Sequence, residues 1–358
     1  MHCTSRSILL VLAGALAACA STPPPVEGGP APAAPTAPAA AAAPTAPAPA
    51  QPEAAAPPKA DPAEEKKKAE LAKLEEDTKA MEAKAAQEAA RFDDALKAEV
   101  KALVAANHPN TGAALRAALK SKHRTPGNAE RDPARHPVET LEFFGLKQTS
   151  TVLELGAGEG WYTELLAPVL SKKGKLIVTS FDPNGPAESR NTLYGKRLKR
   201  TLEKSPDLFG KVEVVVIDRD APKLGIEGKV DVVLAIREAH NWHRSGKFDT
   251  YVAEAFKALK PGGVFGIVAH RAKPDANPDE SAKQGYLPEP WVIQKVESAG
   301  FKLGAKSEVN ANPKDTKDYP EGVWTLAPNF RLGEKDRARY AAIGESDRMT
   351  LKFVKPAR

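Results

Sequence analysis

TVLELGAGEG, residues 151–160, leads an apolar run into three glycines at alternate positions. Residues 152–155 suit a short strand that is buried on both faces of a sheet. The glycines carry no side chains, so the chain can turn tightly and a ligand can approach the amides that open the next helix. A dinucleotide fingerprint, G-x-G-x-x-G, would need glycine where Trp161 stands. The stretch therefore predicts a ligand-binding turn between a strand and a helix, and it disfavours an NAD site.

Strands and helices alternate along the rest of the body. Further strands are predicted at residues 175–180, 212–217, 230–236 and 264–269. Helices are predicted at 161–170, 252–259 and 291–299, the second of them closed by the turn LKPGG, residues 259–263. This alternation predicts an α/β fold, with a parallel sheet that has helices on both faces. Ligands of such sheets bind beyond the carboxyl ends of the strands.

An acidic residue followed by G-x-G-x-G resembles motif I of the class I S-adenosylmethionine-dependent methyltransferases, and LKPGG lies before the fifth strand as in that family. Residues 128–355 are similar to a little-characterised group of bacterial predicted methyltransferases. The segments that carry the similarity are RHP (135–137), NANPKD (310–315) and ESDRM (345–349). The resemblance implies a Rossmann-like sheet of seven strands whose last strand, 349–354, is antiparallel, and S-adenosylmethionine as the cofactor.

The resemblance also assigns cofactor contacts. Glu154 and the loop residues Gly156, Ala157 and Gly158 match the positions that hold the methionine part and approach the sugar. Tyr162, just past the glycine loop, is a further candidate contact.

Two cofactor positions have competing candidates. The family places an acid after the second strand, where a carboxylate takes both ribose hydroxyls. Direct alignment puts Ser180 there, and Asp182 follows two residues later. For the adenine amino group, Asp218 fits by strand spacing and Asp220 fits by the alanine that follows it.

Catalytic candidates follow the fourth and fifth strands. His240 could act as a general base for an oxygen or nitrogen acceptor, because the pKa of histidine lies near neutrality, or it could simply pack beside the next helix. His270, the second catalytic candidate, and Arg271 reach the same region, and we expect Arg271 to pair with a nearby acid, the alternative being a carboxylate on the acceptor. No metal site is predicted, because paired cysteines are absent from the sequence and His240 with His243 are too few ligands.

The stretch 310–347 holds three prolines, Trp324 and many charges, and it has no predicted helix or strand. A connection of this length in a compact domain is usually functional or disordered. Its position predicts either a lid over the acceptor site or an ordered cover for the edge of the sheet.

The chain before the predicted α/β domain divides into three segments. Residues 1–18 hold a short basic start and a nine-residue apolar run, and with LAAC (16–19) they resemble a bacterial lipoprotein signal that lipidates Cys19. An ordinary signal cleaved near Ala18 is the alternative. Residues 19–60 are an Ala/Pro linker with too little apolar surface to offset the entropy of ordering. Residues 61–107 predict a charged helical stalk whose start is solvated, and residues 108–358 form the methyltransferase-like domain.

Charge and composition limit which classes of binding partner are expected. The formal charge is +6, but Lys and Arg are scattered among acids, so nucleic acid is not expected. The sequence thus predicts a methyltransferase for an unknown small-molecule acceptor, lipid-anchored in a bacterial cell envelope on the periplasmic face of the outer membrane. Because S-adenosylmethionine is made in the cytoplasm, the alternative is an envelope binding module that kept the fold and lost or changed catalysis.

Overall fold

Seven strands form one mixed sheet in the order β3-β2-β1-β4-β5-β7-β6. The structure, a computed structural model, describes residues 61–357, and the predicted signal, Cys19 and the Ala/Pro linker lie outside them. Strand β7 pairs antiparallel with β5 and β6, and the pairs among β1 to β5 are parallel. The strands are β1 (Thr151–Leu155), β2 (Lys175–Ser180), β3 (Glu213–Val216), β4 (Val230–Ile236), β5 (Leu259–His270), β6 (Lys302–Ser307) and β7 (Arg348–Val354). The predicted α/β fold, a Rossmann-like sheet of seven strands whose last strand is antiparallel, is confirmed.

Helices cover both faces of the sheet, so each face buries its own apolar core. Val152 of β1 belongs to the core beneath α2, α3, α5, α6 and α8, and Leu153 belongs to the core beneath α9, α10 and α12. The helices are α1 (Pro62–Arg91), α2 (Asp94–Ala105), α3 (Thr111–Lys120), α4 (Asp132–Arg135), α5 (Pro137–Phe143), α6 (Thr163–Leu170), α7 (Arg190–Glu203), α8 (Pro206–Phe209), α9 (Ala239–Arg244), α10 (Phe248–Ala258), α11 (Pro278–Lys283), α12 (Glu289–Ser298) and α13 (Arg337–Ile343). Short 3-10 helices span Ala129–Arg131 and Gly322–Thr325.

Several predicted boundaries differ from the structure; for example, helix α10 begins at Phe248, four residues before its predicted start. Strand β5 begins at Leu259, five residues early, because Leu259 pairs with Val230 and a register shift lets the LKPGG segment continue the strand. Helix α6 begins at Thr163, because Trp161 and its neighbour Tyr162 belong to the turn that follows the glycine loop.

The start of the predicted stalk, residues 61–73, is exposed as expected, but the rest of α1 packs against the folded domain. Leu74 and Met81 of α1 are buried against Leu193 of α7. Ion pairs join the same two helices, including Arg190 with Asp77 at 2.7 Å. Helix α1 therefore forms part of the folded domain. No helix within residues 61–357 is long and apolar enough to cross a membrane.

The stretch 310–347 is ordered and packs on the domain. Tyr319, Leu326 and Tyr340 form a small buried cluster within it. Asp315 accepts a hydrogen bond from the backbone N–H of Asp347 at 2.8 Å, which ties the start of the stretch to its end.

Candidate functional site

Two adjoining cavities open beyond the carboxyl ends of the central strands. The larger, about 660 Å³, lies between the glycine loop, the ends of β4 and β5, and helices α1 and α7. The smaller, about 430 Å³, lies between the ends of β2 and β3 and helix α9. Gly156, Gly158 and Glu238 line both, so the two spaces meet beside the glycine loop. Their volumes are those of pockets for small ligands.

The glycine loop presents bare backbone to these cavities. Gly156 has a φ of 69°, and a Cβ atom there would lie 2.5 Å from Cγ of Glu238. Gly158 has a φ of 60°, and the space that its Cβ would occupy is open. Thr179 of β2 accepts a hydrogen bond from the Gly156 N–H at 2.8 Å, which fixes where the loop begins. A ligand can therefore lie directly against the backbone at Gly158.

Glu154, the fourth residue of β1, is buried with 4% of its surface exposed and lines the larger cavity. It accepts a hydrogen bond from Oγ1 of Thr163 at 2.7 Å, and no cation of residues 61–357 forms an ion pair with it. Burial raises the pKa of Glu154 to about 8. The side chain is therefore mostly a neutral acid at pH 7, and a cationic ligand group would convert it to a carboxylate.

Glu238, two residues past the end of β4, lies between the two cavities. Asn241 donates a long hydrogen bond, 3.4 Å, to its carboxyl group. Burial raises the pKa of Glu238 to about 7, which suits a general base that works near neutral pH. Sequence reasoning missed this residue, although it is the carboxylate in the run 237–243 that follows β4.

The predicted bases His240 and His270 both line the larger cavity, with ring centroids 5.5 Å apart. Nε2 of His270 accepts a hydrogen bond from Nε of Arg237, so Nδ1 carries the ring hydrogen and donates it to Ser346. Both ring nitrogens of His270 are thus engaged in hydrogen bonds within the protein, and its catalytic role stays a prediction.

His240 is a poor base in this position. Burial, and then the charge of Arg237, lower the pKa of His240 to about 3. The ring is therefore neutral at pH 7, but it has little tendency to hold a proton. Its ring lies 5.9 Å from that of Trp324, on the stretch 310–347, so it contributes to the wall of the cavity.

The other loop candidates also reach the larger cavity. Ala157 and Tyr162 line it, and burial raises the pKa of Tyr162 to about 12, so that its hydroxyl stays protonated. Arg271 does not line either cavity, because it pairs with Asp347, Glu289 and Glu308 as expected for a structural residue.

The acids predicted to hold adenosine do not line either cavity, although neighbouring residues of the chain line the smaller one. Asp182 is exposed and accepts from the N–H of Asn184, whereas Ser180 lines the smaller cavity. Asp218 accepts from the N–H of Asp220, and both are exposed. Short-range turns therefore hold the carboxylates of Asp182 and Asp218, and the roles of Asp182, Asp218 and Asp220 in binding adenosine stay predictions.

The smaller cavity has an apolar and aromatic wall instead. Its lining includes Phe181, Ile217, Trp242 and Tyr251. The Trp242 and Tyr251 rings are stacked at 4.5 Å. The lining also includes Arg190, Arg219 and Arg244, so the cavity offers a flat apolar wall together with cationic groups.

No protein-family model matches the chain, and no curated protein matches it. Several solved structures are similar. A SAM-dependent methyltransferase from Aquifex aeolicus is 20% identical, with 63% of this chain and 93% of that chain covered and a TM-score of 0.41. The glycopeptide N-methyltransferase MtfA, also solved with sinefungin and with S-adenosylhomocysteine, is 16% identical, with 65% of this chain and all of that chain covered and a TM-score of 0.40. The [4+2]-cyclase SpnF is 16% identical, with 63% and 81% covered and a TM-score of 0.42. At these identities and TM-scores, the similarities carry no argument about activity.

Proposed function

We propose that this protein transfers a methyl group from S-adenosylmethionine to an oxygen or nitrogen atom of a small acceptor. The observation that carries the proposal is Glu154, a buried carboxyl group without a cationic partner among residues 61–357, next to bare glycine backbone. The ammonium of a methionine group would supply that cation. The open space at Gly158 would let the sugar approach the loop.

The smaller cavity fits the adenosine part. Its aromatic wall would receive the adenine ring, and Ser180, Asn191 and Asn241 offer polar groups for the ribose hydroxyls. The carboxylate that usually takes both hydroxyls is missing from the lining near Ser180, so we expect weaker ribose binding than in a site with an acid there.

When bound, S-adenosylmethionine supplies a methyl group whose bond to the sulfonium sulfur breaks as the acceptor attacks, and the electron pair stays on sulfur. Glu238 lies where the two cavities meet, so it can take the proton that the acceptor oxygen or nitrogen loses. Trp324 and His240 form part of the wall of the larger cavity.

The test is a calorimetric titration of S-adenosylmethionine into the full chain, in two pH 7 buffers of different ionisation enthalpy. Because the Glu154 carboxyl has a pKa of about 8 and must ionise to pair with the ammonium, binding should release close to one proton. Glu154→Gln should abolish that release and weaken binding. Glu254→Gln is the matched control and should keep the wild-type binding and proton release, because Glu254 is also buried but pairs with Lys257 and lines neither cavity. No heat at millimolar S-adenosylmethionine would overturn the proposal.

A binding module without catalysis is the second candidate, and the serine at the end of β2 is the observation that favours it. Incubation with methyl-labelled S-adenosylmethionine and a small-molecule extract distinguishes the two. Cofactor binding without labelled product in any extract would favour the binding module.

We also propose that Cys19 is lipidated and holds the protein at the periplasmic face of the outer membrane. The support is the LAAC sequence after a nine-residue apolar run. Fractionation of a Cys19→Ala chain tests this, because continued partition with membranes would contradict lipid anchoring.

A further inference from the structure

Arg237 is a half-buried cation that lines the larger cavity and forms no ion pair with residues 61–357. It follows β4 and has a left-handed backbone conformation, with a φ of 65°, which residues other than glycine rarely adopt. Its backbone N–H donates to the carbonyl of Val268 at 2.7 Å, and its Nε donates to His270 at 3.4 Å. No carboxylate of residues 61–357 lies within ion-pair distance of it. The strained backbone therefore holds an unpaired guanidinium at the larger cavity.

The neighbouring arginines add to the positive charge around Arg237. Arg135 and Arg348 share the carboxylate of Glu345, which leaves Nη2 of Arg135 buried without a hydrogen-bond partner. Burial, and then the charge of Arg135, lower the pKa of Arg237 to about 9, so it remains charged at pH 7. The charges of Glu345 and Glu238 act on Arg237, but neither carboxyl group forms an ion pair with it, and a desolvated charge without a direct partner is costly.

We propose that the larger cavity binds its acceptor through an oxyanion, a carboxylate or a phosphate, that pairs with Arg237. The planar guanidinium can donate two parallel hydrogen bonds to such a group. This inference rests on the proposed function, because Arg237 is next to Glu238, so an acceptor held by the guanidinium lies beside the proposed base. The acceptor is therefore an anionic small molecule.

The test uses inorganic phosphate and succinate as probes of the full chain, at constant ionic strength, with and without S-adenosylhomocysteine. The melting temperature of the wild type should rise with at least one probe and reach a plateau. Arg237→Met should raise the melting temperature of the unliganded protein, because an unpaired desolvated charge is removed, and should abolish the rise with the probe. Arg237→Lys keeps the charge without the planar fork and should weaken probe binding about tenfold.

Arg337→Met is the control, since Arg337 pairs with Glu334 and lines neither cavity. It should keep the wild-type response. If neither probe gives a plateau with the wild type, or if Arg237→Met responds like the wild type, the inference is overturned.

Two further outcomes separate this inference from the proposed function. If phosphate displaces S-adenosylmethionine and Arg237→Met loses cofactor binding, then Arg237 holds the carboxylate of the cofactor. The acceptor inference is then overturned while methyl transfer stands. If the probes bind at Arg237 but S-adenosylmethionine gives no heat, methyl transfer is overturned and an oxyanion site is supported.

Discussion

Replacing Glu154 by glutamine should stabilise the protein, and the gain should grow with pH. The carboxyl group changes its pKa from 4.5, its ordinary value, to about 8 on folding. The folded state therefore holds a proton that the unfolded state has released between these two values, so the free energy of unfolding falls as pH rises through that window. Glutamine carries no proton to lose, and its side-chain oxygen can still accept the hydrogen bond from Thr163.

The size of the effect follows from the pKa difference. Each pKa unit corresponds to about 1.4 kcal/mol. The raised pKa of Glu154 therefore lowers the free energy of unfolding of the wild type by about 1 kcal/mol at pH 5 and about 4 kcal/mol at pH 8. The difference in unfolding free energy between Glu154→Gln and the wild type should therefore widen by about 3 kcal/mol over this range.

Urea denaturation of both proteins at pH 5, 6.5 and 8 measures this difference. The other titrating groups are common to the two proteins, so their contributions cancel to first order. A gap that stays constant across the three pH values would refute the idea that burial keeps Glu154 protonated. The variant should also bind S-adenosylmethionine more weakly at every pH, which would show that the carboxyl is retained for the ligand at the expense of stability.

Three further changes test other parts of the site. Glu238→Gln should lower the rate of methyl transfer, followed as S-adenosylhomocysteine formation with a small-molecule extract, by a factor of about 10² or more. The wild-type rate should fall as pH drops through about 7, where Glu238 takes up its proton, and a variant with the same pH profile would exclude this base. Ser180→Asp should tighten S-adenosylmethionine about tenfold by calorimetry, since a carboxylate can accept from both ribose hydroxyls. An unchanged dissociation constant would place the ribose elsewhere. Met81→Ala should cost about 2 kcal/mol of unfolding free energy, because Met81 is 7% exposed and packs on α7, whereas Lys67→Ala, at an exposed position of α1, should cost little.

The sheet was predictable because its strands are short apolar runs buried on both faces. Strands β2 and β4 begin and end where the sequence predicts. The antiparallel last strand followed from the family resemblance alone, since periodicity does not report strand direction. The docking of α1 was missed because Leu74 and Met81 are the only large buried apolar residues along a helix of thirty residues. Such a narrow stripe looks like a solvated helix until its partner is known.

The glycine loop was predictable from its spacing, but the charged residues of the site were not. Asp182 precedes Pro-Asn-Gly, which is a turn signature. This explains why its carboxylate accepts a hydrogen bond from the backbone of the turn and does not line the cavity. The pKa values that mark Arg237 and Glu238 as candidates depend on how far each side chain is removed from water. The amino-acid sequence does not give that quantity. Their pKa values follow from burial, so only the folded arrangement identifies them.

The position of α1 determines the shortest fragment of this protein that keeps the larger cavity and the core beneath it intact. Met81, Lys84 and Glu88 line the larger cavity, and Phe92, where α1 ends, is buried in the core beneath α2, α3 and α6. A truncation that begins near Pro109 would thus expose that core to solvent and remove one side of the ligand chamber. A recombinant fragment that begins at Asp61 keeps both, together with the side chain that caps the first turn of α1. Crystallisation and ligand screening should therefore start from that residue.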